Sequence, residues 1–153
     1  MAIAIALHLL AAVIWVGGMF FAYMALRPVA ATLLEPPLRL PLWSQVFARF
    51  FRWVTAAVIV LPVTGYWMLF TAVGGMAGAG LHIHLMQGIG IIMFLMFGHL
   101  YFGPYRRMRL AIDTQAWKDA GARLATIRKI VATNLSLGLV VIVVASSGRY
   151  WAP

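Results

Sequence analysis

Four uncharged, strongly apolar stretches alternate along the chain with two segments that carry nearly all of its charge. The stretches cover about residues 2–26, 53–70, 81–102 and 130–147, and none contains Asp, Glu, Lys or Arg. About 20 apolar residues cross a bilayer as a helix, and lipid leaves few alternatives because every backbone group must be satisfied internally. The pattern predicts an all-α protein: an integral membrane four-helix bundle forming a single transmembrane domain over 1–153. The third stretch is the most informative. From Leu81 to Phe102 it runs 22 residues without a formal charge, yet it carries His82, His84 and His99. Groups that can be charged or bind a metal are costly in hydrocarbon, so three imidazoles on one span call for a function.

The segments between the spans read as loops at 27–52 and 103–129. Glu35-Pro36-Pro37 and Pro41 argue against a continuous helix in the first. The following LWSQVFARFFRW is amphipathic enough to lie at the interface or to lead into the second span. Pro62 and Gly65 predict a kink there, beside a cavity or merely tuning the packing. Residues 71–80, TAVGGMAGAG, form a short flexible connection. After Pro104 the basic extension is expected to continue as a surface helix. Arg149-Tyr150-Trp151 gives the last span an interfacial anchor. The first span is too long, and too rich in Gly and aromatics, for a cleaved signal peptide.

Charge adds orientation. The chain is 64% hydrophobic and 10% charged, against about 25% charged in soluble domains, and its net charge is +9. Eleven of the twelve cations lie in 27–52 and 103–129, with all three acids; the remaining cation is Arg149. That is the positive-inside pattern, not a nucleic-acid patch. It places both basic loops in the cytoplasm and both termini, with 71–80, on the outer side. In a bacterium this means a multi-pass protein of the inner membrane with its termini in the periplasm. The cationic faces should favour anionic headgroups of the lipid bilayer. There is no cysteine, so disulfides, thiolate sites and thiol catalysis are excluded, leaving four histidines, nine methionines and backbone groups as candidate ligands for a soft or borderline metal.

Depth follows from this topology. His8, His82 and His84 lie near the outer third of the membrane, whereas His99, 15 residues beyond His84, sits roughly 22 Å deeper. His8 shares a helix face with Ala12, Trp15, Met19 and Ala22; His84 shares one with Gly88, Ile91, Leu95, Gly98 and Phe102. Gly88 and Gly98 would open a slot for a flat ring. Two imidazoles at equal depth on different helices suit axial ligation of haem b. The expected metal ligands are His8 and His84, with His82 as substitute. Trp15, Met19, Trp67, Met68, Met86, Met93 and Phe94 are candidates to line the pocket, and Arg149 with Tyr150 to meet the propionates. Plainer readings remain beside these: His99 as a helix-to-helix hydrogen bond, His82 wetted at the headgroups, and the methionines as packing.

HLLAAVIWVGGMFF at 8–21 resembles the opening helix of the CopD-like membrane proteins and of the HemJ-type protoporphyrinogen oxidases, in which a histidine precedes a Trp-x-Gly-Gly or Trp-x-Ala-Gly step. LHIHLMQ at 81–87, followed by HLYFGPYRRMRLA at 99–111, is similar to the third helix and basic exit of the same group. His8, His82 and His99 fall where these families place histidine. The resemblance implies a four-helix unit that binds haem b or handles copper. HemJ-type proteins usually carry a lysine where His84 stands, which bears on the oxidase activity more than on haem.

Three functions are therefore expected in order. The first is a b-type haem electron-transfer protein or oxidoreductase exchanging electrons with membrane quinone. The second is copper resistance or transport of the CopD type, with His82-x-His84, Met76 and Met86 at the outer mouth. The third is a non-catalytic assembly partner whose glycine-bearing helix faces suit a homodimer.

Overall fold

A computed structural model describes residues 1–151, apart from the side chain of Arg149. Four helices account for nearly all of it: α1 (Ala2–Leu33), α2 (Pro36–Val73), α3 (Leu81–Asp113) and α4 (Trp117–Ser147). Each is long and apolar enough to cross a membrane, and no strand occurs among the described residues. The helices outrun the hydropathic spans because the basic segments are themselves helical. α2, with 38 residues, extends over roughly 57 Å, nearly twice the thickness of the hydrocarbon core. Its arginine-bearing first turns therefore have room to stand clear of the lipid.

Local chemistry sets where each helix breaks. Leu34 and Glu35 are extended (φ/ψ −124°/129° and −67°/158°), as expected before a proline. Pro36 then opens α2, where its missing N–H costs nothing. Pro41, expected to interrupt the helix, lies inside α2. So early in a helix it forfeits a single bond, to the carbonyl of Pro37. Pro104 is likewise carried within α3, in a wide turn over Tyr101–Tyr105 with i→i+5 bonding. α2 ends where Gly74 takes φ +81°, a conformation strained for any residue with a Cβ.

The bundle has a dense half and an open half. α1 packs along α2, and α3 along α4, with further contacts across. In the half carrying the basic segments, aromatic rings form a continuous ladder. Phe47 stacks on Phe51 at 5.1 Å, Phe51 meets Tyr105 at 5.0 Å and Phe97 at 5.5 Å, and Trp15 lies over Phe94 at 5.7 Å. Met108 and Ile127 are fully buried beside them. Since lipid is as apolar as leucine, such contacts hold the helices by dispersion and shape, not by escape from water; each ring pair adds about 0.5–1.5 kcal/mol. At the opposite end, His8 lies against Gly65, and Gly148 against His82. The two chain ends and the 74–80 connection thus share that end of the bundle.

Candidate functional site

The open half holds a partly open cavity of about 290 Å³ lined by all four helices. Most of its wall is aliphatic or aromatic. The polar side chains on it are His8, Tyr66 and Gln87, and the soft ones are the thioethers of Met68, Met86 and Met93. Trp15 and Phe94, stacked on each other, close it toward the aromatic ladder.

His8 is brought here by α1 and fixed by α2. Its Nδ1 is 2.8 Å from Thr64 Oγ1. The Thr64 hydroxyl donates its one proton to main-chain carbonyls, to Val60 O at 2.6 Å and to Leu61 O at 3.3 Å. With the proton given to a carbonyl, the oxygen accepts from His8, and we assign the tautomer protonated at Nδ1 on that network. Nε2 then carries the lone pair. A ring anchored through one nitrogen with the other left to ligate is the usual form of a metal-binding histidine. Gly65 makes room for it: a Cβ there would stand 3.3 Å from Cε1 of the imidazole. Also on the cavity wall, Gln87 Nε2 donates to Tyr66 Oη at 2.5 Å, tying α3 to α2.

The other expected site residues fall elsewhere. His84 is exposed on α3 and Gly88 is exposed one turn on, and neither lines the cavity. α3 presents Ile83, Met86, Gln87, Gly90, Met93 and Phe94, a stripe offset from the face that His84 shares with Gly88 and meeting that face at Ile91. His82 is half-buried beside Gly80 and Gly148, and His99 is exposed near the basic end. Met19 is buried in the core beyond the cavity, and Trp67 is 60% exposed. Of the expected pocket residues, Trp15, Met68, Met86, Met93 and Phe94 do line the wall. The Arg149 side chain lies outside the described residues. Pro62 and Gly65, read from the sequence as a kink beside a cavity or as packing, do line the wall. Thr64, Tyr66 and Gln87 have no such signal: a hydroxyl, a phenol and an amide in apolar spans are common packing devices, so nothing in their spacing marks them.

Among the described residues no group of three or more His, Asp or Glu side chains is placed to hold a metal. A haem held by two imidazoles finds one of them on this cavity, so the side chains do not fit that arrangement and no chemistry is derived through it. A soft monovalent cation asks for less: one imidazole nitrogen and thioether sulfur, with no carboxylate.

A family model described as CopD, Copper resistance protein D, matches residues 44–147. The match takes in most of α2, all of α3 and α4, and leaves out the helix that carries His8. No curated protein and no solved structure matches the chain.

Proposed function

The chain belongs to the copper resistance protein D family, and on that premise we propose that it takes Cu(I) as cargo into the cavity between its helices. It is a multi-pass membrane protein. The observation that carries the reading is a single imidazole, anchored through Nδ1, on a wall that also holds Met68, Met86 and Met93. Thioethers select Cu(I) over harder ions, and an imidazole adds a borderline donor. Among the described residues this wall carries no carboxylate, which disfavours Mg²⁺ and Ca²⁺, both held by oxygen. The cation clusters support an orientation with the basic end in the cytoplasm. The cavity then belongs to the outer half, which in a bacterial inner membrane faces the periplasm, and copper would reach it from that side.

The test is Cu(I) affinity of the purified protein in reducing buffer, measured against a chromogenic chelator. One Cu(I) per chain is expected, with affinity falling at least about tenfold in His8→Ala and again when Met68, Met86 and Met93 become Leu. His82→Ala/His84→Ala should bind as the parent does. Loss of copper in that variant, with full binding in His8→Ala, would move the site to the exposed histidines and reject the cavity.

A further inference from the structure

The basic end of the bundle holds a second cavity, of about 240 Å³, where the end of α1, the start of α2 and the start of α4 come together. Four cationic residues line it, Arg27, Arg39, Lys118 and Arg128, and among the described residues no carboxylate does. The three acids of the chain, Glu35, Asp113 and Asp119, are all exposed and lie outside it. Two indoles complete the wall: Trp43, 5% exposed, and Trp117, half-buried.

We infer that this cavity is a binding site for a phosphate oxyanion, supplied by the headgroup of an anionic phospholipid. Three observations support it. First, the cations come from three helices, so the cluster depends on the fold and is not one solvated helix face. Second, two of them are held in place: the Arg39 guanidinium donates to Ala31 O at 3.3 Å, and that of Arg27 lies 4.8 Å from the centre of the Tyr23 ring. Held guanidiniums match phosphate oxygens geometrically at little further cost in order. Third, the cavity sits where the apolar spans give way to the basic extensions, the level of the headgroups, and tryptophan favours that level. Basic cavities between helices on the cytoplasmic side are suited to anionic headgroups, whose acyl chains would run down the exposed apolar flank of the bundle. A bound lipid here would also clamp the α1–α2 and α3–α4 turns together, since α1, α2 and α4 each contribute. The inference does not depend on copper.

Native mass spectrometry of the full-length, detergent-purified protein tests it with three probes: phosphatidylglycerol, phosphatidylcholine and inorganic phosphate. Retention of phosphatidylglycerol over phosphatidylcholine is expected, with affinity lower by about tenfold or more in Arg39→Gln/Lys118→Gln/Arg128→Gln. The charge-matched variant Arg107→Gln/Arg123→Gln/Lys129→Gln, altered at exposed cations outside the cavity, should keep it. Should the first variant fail to fold, Lys118→Gln and Arg128→Gln, each at an exposed position, should singly reduce retention where Lys129→Gln does not. Equal losses in cavity and control variants would show diffuse surface attraction and overturn the site, as would equal retention of the two lipids. Inorganic phosphate that binds as tightly as phosphatidylglycerol, and competes with it, would identify free phosphate as the ligand and overturn the lipid assignment.

Discussion

Replacing Thr64 with valine removes one hydroxyl and little else. Valine has nearly the same shape, and the position is 7% exposed and packed between α1 and α2. The loss falls on the 2.8 Å bond that holds His8 Nδ1. Without that acceptor the imidazole has nothing at Thr64 to fix its tautomer, and the proton can move to Nε2, the nitrogen proposed to meet copper. Removing such a supporting partner usually costs 10–100-fold in metal affinity, about 1.4–2.8 kcal/mol. Thr64→Val should therefore weaken Cu(I) binding by about that factor with the fold intact. Thr64→Ser restores the hydroxyl and should bind within about threefold of the parent. Chelator competition measures both, with a thermal melt in detergent as control on folding. The reasoning is refuted if Thr64→Val binds copper as the parent does, or if Thr64→Ser is as weak as Thr64→Val.

Further outcomes follow from the packing. Gly65→Ala places a methyl 3.3 Å from the His8 ring, forcing one of them to shift by a few tenths of an ångström; Cu(I) affinity should fall while the melting temperature changes little. Met108→Ala opens a void at a fully buried position of the dense half. It should cost about 2–5 kcal/mol, read as a lower melting temperature, and leave copper affinity unchanged. Asn134 is buried, with Nδ2 making a long 3.5 Å bond to Met93 O and Oδ1 without a partner among the described residues. Asn134→Leu should therefore be neutral or stabilising by about 1 kcal/mol in the same melt.

The spans were legible because charge is absent from them, and that signal is independent of how the helices pack. Their true length was not. Hydropathy sees only the apolar part of α2: its first turns, bearing Arg39, look like loop until Pro36 is recognised as a helix opener, and the stretch with Arg49 and Arg52 shows only as an amphipathic lead-in to the span. His8, which lines the cavity, stood out in the sequence because an ionisable group among Leu, Ala and Ile has few reasons to be there. Met68, Met86 and Met93 were legible as a wall, and Met86 also as a thioether ligand, though beside His82 and His84 at the outer mouth and not beside His8. The rotation of α3 was hidden for a physical reason. Nearly every residue from Leu85 to Leu100 is apolar or glycine, so no periodicity distinguishes the face that packs from the face that meets lipid. Fit against Gly138 and Trp15 decides it, turning Met86, Gln87 and Gly90 inward and His84 outward. The pairing of His8 with His84 on one cavity depended on that rotation.

X-ray absorption at the copper edge of the protein loaded with one equivalent of Cu(I) addresses the cavity most directly. A mixed shell is expected, with an imidazole nitrogen and thioether sulfurs, losing its nitrogen in His8→Ala and its sulfurs when Met68, Met86 and Met93 become Leu. A shell of nitrogen alone that persists in His8→Ala would contradict the account.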